Sequence, residues 1–371
     1  MSMNCGIIGL PNVGKSTLFS ALTAKDVPME NYPFCTIEPN KGIVPVPDTR
    51  LYRIAEILKP IETIPAVVEF VDIAGLVEGA SKGEGLGNQF LAQIREVGVI
   101  IHVVRCFSDD DVAHVTGPIN PVSDIEVVNT ELALADLESV EKRAEKNQKQ
   151  LKSDNKDVAN AARAEVPVLG QFVEALSQGN PARGVELSPE DADLIWDIHL
   201  LTMKPQLFVC NVDEEGLHQD NDLVKAVRAF AEREQAGCLS LCCKLEAEIA
   251  ALEEEEERAI FLEDAGIEES GLVRLIRTGY NLLGLRTFFT ENGREVRAWT
   301  FHVGDKAPTA AGTIHTDFER GFIKALVYQC EELFHRGSLH HIKEAGMLRI
   351  EGKDYKVQDG DVILFRFNVH G

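Results

Sequence analysis

The amino-acid sequence predicts an α/β fold with a mainly parallel sheet, and two observations lead to this prediction. Short apolar runs of strand length alternate with stretches of helical periodicity, which is the pattern of chains that build parallel sheets. The first run is followed by a glycine-punctuated turn and then by a helix pattern over residues 17–24. The runs expected to form strands are residues 4–10, 67–73, 97–106, 207–211 and 238–242.

The alternation of strands and helices is interrupted between about residues 124 and 199. Apolar residues recur there at intervals of three and four in two stretches, which a polar segment separates. This spacing predicts two long amphipathic helices that form an antiparallel hairpin. The pattern leaves two interpretations open, a solvated helical arm and an arm that binds a partner.

The remainder of the chain changes from helical to strand-like patterns. The acidic run 253–257 is expected to be the solvated face of a helix, with Ile249, Leu252 and Ile260 on its buried side. Further on, residues 297–303, 348–350 and 362–367 read as strands of a small α+β domain, with a mixed strand and helix pattern over 318–334. The predicted parts are an α/β domain of residues 1–124 and 200–279, a helical hairpin of 125–199 and a C-terminal domain of 280–371.

Composition excludes several classes of protein. The 371 residues include 37 Lys and Arg against 60 Asp and Glu, a net charge of -23, so the overall field does not attract nucleic acid and no DNA partner is expected. No apolar run has the length of a membrane span, so no membrane partner is expected, and the N-terminus lacks the pattern of a secretory signal. The eight cysteines are therefore expected to be reduced thiols of a cytoplasmic protein.

The turn after the first apolar run matches a phosphate-binding loop. Residues 9–16 read G-L-P-N-V-G-K-S and lie between a predicted strand and a predicted helix. Such a loop directs backbone N–H groups at a polyphosphate, at the positive end of the helix dipole. Lys15 is expected to contact the β- and γ-phosphates and to act in catalysis, and Ser16 Oγ to ligate Mg²⁺. The predicted nucleotide contacts of this segment are Asn12, Val13, Gly14, Lys15, Ser16 and Thr17.

A second motif supports a triphosphate site. Residues 67–75 form an apolar strand that ends in D-x-x-G. At the tip of such a strand Asp72 can hold Mg²⁺, usually through water, and the N–H of Gly75 can meet the γ-phosphate. Between the two motifs, Thr36 is the expected switch threonine, whose hydroxyl would complete the Mg²⁺ shell when a γ-phosphate is present. A Mg²⁺-dependent nucleotide site is the prediction.

Five segments together resemble the YchF family, which comprises Obg-like P-loop ATPases of the translation-factor GTPase class. They read G-L-P-N-V-G-K-S-T, N-Y-P-F-C-T-I-E-P-N, D-I-A-G-L-V, G-E-G-L-G-N and I-H-T-D-F-E-R-G-F. The resemblance covers nearly the whole chain. It implies a nucleotide-binding domain that carries the helical hairpin as an insertion, followed by a ubiquitin-like β-grasp domain of the TGS type. It also implies a preference for ATP over GTP and an association with the ribosome.

The segment after the fourth apolar run bears on the choice of base. GTPases of this class read guanine with N-K-x-D, whereas residues 211–214 read N-V-D-E. Glu214 would displace the carboxylate from the N1–H and N2–H₂ donors of guanine, which removes a two-bond lock. Asn211 could still bond the N6/N7 edge of adenine. ATP is therefore expected to bind at least as well as GTP, unless a shift of one residue lets Asp213 read guanine.

The residues leave alternatives open for the activation of water. Many GTPases place Gln after the Gly of D-x-x-G, but this chain has Leu76, which cannot hydrogen-bond water, so intrinsic hydrolysis is expected to be slow. His114, at a position that matches the family, is either a catalytic group over the γ-phosphate or a surface histidine. Asn12 either takes part in loop hydrogen bonds or places an activating K⁺ beside the phosphates.

Two local basic stretches are candidates for contacts with a partner. Residues 141–156 contain six Lys or Arg against three acids, and residues 274–300 contain five Arg against two acids. Aromatic residues interleaved with the second stretch would suit either RNA stacking or a core. These residues are Tyr280, Phe288, Phe289 and Trp299. Together with the resemblance, the leading hypothesis is an ATPase switch that binds ATP, ADP and the ribosome, through rRNA and ribosomal proteins. The rival is a nucleotide sensor without functional turnover.

Overall fold

The computed structural model describes residues 3–24, 38, 40–73, 86–109 and 118–368, without the side chains of 86–88. The strands are β1 (Asn4–Ile8), β2 (Lys41–Pro45), β3 (Glu62–Ile64), β4 (Val67–Asp72), β5 (Val99–Arg105), β6 (Gln206–Asn211), β7 (Gly237–Leu241), β8 (Leu285–Glu291), β9 (Glu295–His302), β10 (Phe322–Gln329), β11 (Arg349–Glu351) and β12 (Asp361–Phe367). The helices are α1 (Lys15–Leu22), α2 (Thr49–Leu58), α3 (Leu86–Glu96), α4 (Pro121–Gln150), α5 (Lys156–Ser177), α6 (Pro189–Ile195), α7 (Glu214–His218), α8 (Asp222–Arg233), α9 (Cys243–Ala251), α10 (Glu255–Asp264), α11 (Gly271–Leu282), α12 (Ala307–Gly312), α13 (Thr316–Arg320), α14 (Cys330–Arg336) and α15 (Leu339–Glu344).

The first sheet has the strand order β2-β4-β1-β5-β6-β7. Its pairs β1–β5, β5–β6 and β6–β7 are parallel, with Cys5 opposite Val99 and Ile100 opposite Gln206. Because parallel strands end at the same edge of a sheet, the loops that follow β1, β5, β6 and β7 lie at one edge. The mainly parallel sheet that the alternation of strands and helices predicts is confirmed.

Strand β5 is buried along its whole length. A continuous apolar run is expected for a strand covered on both faces, and the exceptions are Arg105 at the end of β5 and, in its interior, His102. Its ring lies 5.8 Å from that of Phe208, and among the described residues neither ring nitrogen has a hydrogen-bond partner. Burial lowers the pKa of His102 to about 3. The histidine is therefore neutral in the folded protein at neutral pH.

This neutral histidine makes stability depend on pH. The unfolded chain takes up a proton below about pH 6.5 but the folded chain only near pH 3, so stability falls as the pH drops through this window. At pH 5 the loss amounts to about 2 kcal/mol. We expect His102→Leu to remove this part of the pH dependence, as measured by urea unfolding of both proteins at pH 7.5 and pH 5. Equal losses in the two proteins would show that His102 does not titrate in this way.

The predicted helical hairpin is present as α4 and α5. Asn120 caps α4 through Ser123 N–H, and Asn155 caps α5 through Asp157 N–H. Between the two helices Arg143 contacts Glu165, with Nε 2.7 Å from Oε2. Lysines near the turn between the helices are exposed. These lysines are Lys146, Lys149, Lys152 and Lys156.

The second sheet is mixed, with the strand order β11-β10-β12-β8-β9-β3. Pairs β8–β9, β10–β12 and β10–β11 are antiparallel, whereas β12–β8 and β3–β9 are parallel. Helix α12 packs with the inner side chains of the sheet in one apolar core. This arrangement confirms an α+β fold for the C-terminal part of the chain. Strand β3, which precedes the phosphate-site strand β4 in sequence, is a member of this sheet that the sequence analysis did not predict.

The chain forms two compact units, and their boundaries differ from those of the three parts predicted from the sequence. The described residues of the first are within 3–24, 40–41 and 70–272, and those of the second are 38 and those within 42–69 and 273–368. Residues 42–69 join the C-terminal unit because β3 pairs with β9, with Thr63 opposite Val296. The three-part division made from the sequence stays a prediction.

Burial decides between two alternatives left open by the sequence, and exposure contradicts one prediction. Tyr280, Phe288 and Phe289 are buried, so of the two alternatives, a core and RNA stacking, these three aromatics belong to the core. Ile260 is 59% exposed although the sequence pattern predicts it on a buried face. The physical reason is that the helix is interrupted: α9 ends at Ala251, α10 begins at Glu255 within the acidic run, and the break resets the helical phase. In α10 it is Phe261 and Leu262 that pack inward.

Within the described part of the chain, no helix combines the length and the apolar character that crossing a bilayer requires.

Candidate nucleotide site

The loop between β1 and α1 has the backbone geometry of an anion-binding turn. Asn12 and Gly14 adopt positive φ angles of 64° and 96°, and α1 begins immediately afterwards at Lys15. A Cβ at position 14 would lie 2.4 Å from Asn211 Nδ2, so only glycine fits there. Val13 is buried and anchors the loop, whereas Ser16 and Thr17 lie in the first turn of α1 with Thr17 exposed. The first-turn N–H groups and the helix dipole favour an anion at this end.

The two charged residues expected to act on phosphates and metal lie together. Lys15 Nζ donates a hydrogen bond to Asp72 Oδ1 at 2.7 Å, and both side chains are partly buried. Asp72 ends β4, and Ile73 next to it donates its N–H to Ile7 O of β1 at 3.1 Å. The neighbouring ends of β4 and β1 thus set the position of the pair.

The Ser16 hydroxyl and the Asp72 carboxylate supply oxygens of the kinds that bind Mg²⁺. Ser16 follows Lys15 directly where the helix begins, and its hydroxyl is an oxygen ligand of the kind that Mg²⁺ takes. Magnesium prefers few protein oxygens and completes its shell with water and phosphate oxygens. The donor set therefore fits the predicted cation.

A cleft of about 770 Å³ opens beside the loop. Its lining comes from segments at the ends of β1, β5, β6 and β7 and includes predicted site residues together with others. Predicted members are Asn12, Gly14, Thr17, Asn211 and Glu214. Not predicted from the sequence were Cys242, Cys243 and Lys244, which follow β7, and no binding role was predicted for Phe107, Ser108 and Asp109, which follow β5. The rule that ligands bind beyond the carboxyl ends of parallel strands is the signal that could have found them.

Asn211 connects two walls of the cleft. Its Nδ2 donates to Val13 O at 2.9 Å, and its Oδ1 accepts from Cys243 N–H at 3.0 Å. The side chain is buried, with 5% of the residue surface exposed. These bonds use one donor and one lone pair of the amide, so a second N–H and a second lone pair are left for a ligand. Asn211 therefore positions the phosphate loop, in addition to the base contact predicted for it.

The two acidic residues after Asn211 differ in their surroundings. Asp213 is the N-cap of α7, and its Oδ1 accepts from Gly216 N–H at 2.9 Å. Glu214 is exposed at the start of α7. Both residues line the cleft. If the motif were shifted by one residue so that Asp213 read guanine, the hydrogen bond by which Asp213 caps α7 would have to break.

Cys242 and Cys243 present thiols to the cleft rather than thiolates. Burial raises the pKa of both side chains above the ordinary range of cysteine. A neutral thiol is a small apolar group with weak hydrogen-bonding capacity. This wall of the cleft therefore suits the face of a heterocyclic base.

Four residues singled out in the sequence lie outside the described residues. They are Thr36, Gly75, Leu76 and His114. Their roles stay predictions.

Comparison with known proteins finds relatives that match this chain over its whole length. A relative from Bacillus subtilis (strain 168), "Ribosome-binding ATPase YchF", is 53% identical over 371 residues, which is 100% of both chains. The chain belongs to the YchF family. A YchF relative of the same name from Escherichia coli O157:H7 is 52% identical over 369 residues, again with both chains fully covered.

Family matches and a solved structure agree with this assignment to the YchF family. Residues 285–368 match YchF-GTPase_C, described as a protein of unknown function (DUF933), and residues 4–162 match MMR_HSR1, described as a 50S ribosome-binding GTPase. The solved structure of the Schizosaccharomyces pombe YchF GTPase is 34% identical, covers 98% of each chain and has a TM-score of 0.89. The names of these relatives differ on the nucleotide, since some say ATPase and one says GTPase.

Proposed function

We propose that this chain is a Mg²⁺-dependent ATPase that acts as a nucleotide-controlled switch on the ribosome. Two observations carry the proposal: residues of the phosphate loop line the cleft at the end of the parallel sheet, and the Lys15–Asp72 pair lies where this loop meets α1. Full-length relatives at 53% and 52% identity are named ribosome-binding ATPases, which supports both the activity and the partner. ATP is hydrolysed to ADP and phosphate in this proposal, and the two bound states differ in their contacts with the ribosome.

Each residue of the predicted nucleotide site has a proposed task. Backbone N–H groups of residues 12–17 bind the phosphates, and Lys15 leaves Asp72 to reach the β- and γ-phosphates. Ser16, Asp72 and Thr36 hold Mg²⁺, which neutralises phosphate charge when it is bound. Gly75 offers its N–H to the γ-phosphate. The base lies between Asn211, Glu214 and the cysteine wall.

Adenine is the proposed base. The exposed Glu214 replaces the Asp that guanine-binding relatives of this class use, and Asp213 is engaged as a helix cap. A guanine would thus lose a bidentate acceptor, whereas adenine has no need of one. Binding of GTP by this chain is the competing possibility, favoured by the name of the 34% identical fission-yeast relative.

Two measurements test the choice of base, the hydrolysis of ATP and the effect of the ribosome separately. We expect ATP to displace a fluorescent ATP analogue at least as well as GTP does in the presence of Mg²⁺. Single-turnover hydrolysis of ATP is expected to be slow alone and faster with purified ribosomes, because Leu76 cannot orient water. A clear preference for GTP would refute the choice of base. Negligible hydrolysis with and without ribosomes would favour the sensor.

His114 is the proposed group that orients the attacking water. An imidazole with an ordinary pKa near neutrality can position water or accept its proton. We expect His114→Ala to lower kcat by about 100-fold, a typical contribution of a general base, with the Kd for ATP nearly unchanged. His218, at the end of α7, provides a control His→Ala variant outside the cleft lining. Unchanged turnover in the His114 variant would remove it from the mechanism.

The proposed ribosome contact includes the exposed lysines near the turn of the hairpin, Lys146, Lys149, Lys152 and Lys156. Such contacts with phosphates weaken steeply as salt rises. The proposal names rRNA and ribosomal proteins only as classes of partner.

Asn12, which has a left-handed backbone and lines the cleft, is proposed to place K⁺ beside the phosphates. Turnover should therefore be higher in KCl than in NaCl at equal ionic strength.

A further inference from the structure

The second unit has an exposed sheet face with a distinct chemistry, built from residues that do not line the nucleotide cleft. Leu326 of β10 is directly opposite Ile350 of β11 and Leu364 of β12, so the three side chains form one row across three antiparallel strands. Their neighbours Ala325, Val327, Ile363 and Phe365 point to the opposite face and belong to the apolar core. The row therefore points away from the core. Ile350 is 66% exposed and Leu364 39% exposed.

Two cations lie next to this aliphatic row. Lys324 of β10 is directly opposite Arg366 of β12, on the same face as Leu326 and Leu364. Both are exposed, and no ion pair with either of them occurs among the described residues. We call Lys324, Leu326, Ile350, Leu364 and Arg366 the sheet patch.

The placement of the two cations is unfavourable for the isolated protein. Like charges directly opposite each other on paired strands are destabilising. Lysines can protect edge strands from aggregation, but β10 and β12 are interior strands of this sheet, so that explanation does not apply. A local arrangement that conflicts with stability is expected at a site of function.

Another part of the same face is already covered. Arg50 of α2 lies over the ring of Phe289 of β8 at 5.5 Å, and it also donates to Asp359 at 2.9 Å. Arg53 of α2 lies 4.0 Å from the ring centroid of Phe334. Helix α2 thus occupies the face at β8, whereas the aliphatic row of β10, β11 and β12 is exposed.

We infer that the sheet patch docks an acidic amphipathic segment of another protein. Two cations beside three aliphatic side chains match a surface that presents carboxylates along one side and leucine-like groups along the other. The occupant is a protein rather than RNA because the row contains no aromatic face on which a base could stack.

The test uses a labelled peptide of about 18 residues with Glu and Leu at helical spacing, and the full-length chain. Fluorescence anisotropy is expected to detect binding that weakens as salt rises. Lys324→Glu combined with Arg366→Glu is expected to lower the affinity at least about tenfold, and Ile350→Ser to lower it as well. Lys343→Glu combined with Lys353→Glu gives the same change in net charge at exposed sites outside the sheet patch and is expected to change affinity less than about twofold.

The single variant Lys324→Glu separates binding from folding. It replaces a like-charge pair by an opposite-charge pair across β10 and β12, so its Tm is expected to equal or exceed that of the parent chain while its affinity for the peptide falls. A peptide that does not bind at millimolar concentration, or a Lys/Leu peptide that binds equally well, overturns the inference. Preferential binding of a single-stranded RNA, or self-association of the parent chain that Lys324→Glu abolishes, would assign the patch to RNA or to a second copy instead.

Discussion

Replacing Lys15 by Ala is expected to lower the affinity for ATP at least about 100-fold, which corresponds to a loss of about 2.7 kcal/mol of binding free energy. The ammonium is held where the phosphate loop meets α1, and only its charge can bridge two phosphates at that position. The measurement is calorimetric titration with ATP and Mg²⁺. Lys225, exposed on α8 of the same unit, gives the control variant Lys225→Ala, which removes a charge without touching the cleft lining.

The same substitution should lower stability only moderately, and this contrast makes it informative. The Lys15–Asp72 pair is partly buried, with 13% and 22% of the two side chains exposed, so the loss of its charge-assisted hydrogen bond is expected to cost about 1–3 kcal/mol. A large drop in Tm together with the loss of binding would point to a structural role and contradict the proposed one.

Asp72→Asn is the complementary variant. It removes the carboxylate to which Lys15 donates a hydrogen bond, so this acceptor no longer competes with the phosphates for the ammonium. Affinity for ATP without Mg²⁺ is therefore expected to equal or exceed that of the parent chain, whereas the increase that Mg²⁺ produces is lost. A variant that still responds to Mg²⁺ as strongly as the parent would exclude Asp72 from the metal site.

The central strands and the loop were predictable because their signals are local. Strands β5 and β6 are mainly apolar runs of the kind expected for a fully buried parallel strand, and the phosphate loop is fixed by glycine positions in one short segment. The predicted edges were one or two residues too long at β1 and β5, since apolar residues continue into the buried segments that flank these strands.

Other features depend on contacts that no local pattern contains. Strand β3 has three residues, too few to show alternation, and it becomes a strand only by pairing with β9, far away in sequence. Residues Phe288 and Phe289 lie among arginines in the sequence, yet both are buried since successive side chains of β8 meet two covered faces. A base contact was predictable for Asn211 because the base-recognition motif includes its position. Its bonds to Val13 and Cys243 were not predictable, because a motif does not show which residues pack against it.

Asn211→Ala is expected to damage both folding and binding, because two polar groups of the cleft walls lose their partners. Val13 C=O and Cys243 N–H are each bonded to its amide, and a buried polar group without a partner costs about 1–3 kcal/mol. We therefore expect the free energy of unfolding of the first unit to fall by about 3 kcal/mol. The affinity for ATP should fall as well, since the phosphate loop is then no longer held against the start of α9.

Asn221 provides a matched control for this prediction. Its Nδ2 donates to Cys106 O at 2.8 Å and its Oδ1 accepts from Val224 N–H at 2.9 Å, so it has the same two kinds of bond in the same unit. It does not line the cleft. Asn221→Ala should thus lower stability but leave ATP affinity unchanged under conditions where both variants are folded. If the two variants lose affinity equally, the loss comes from general destabilisation, and Asn211 has no specific part in holding the loop.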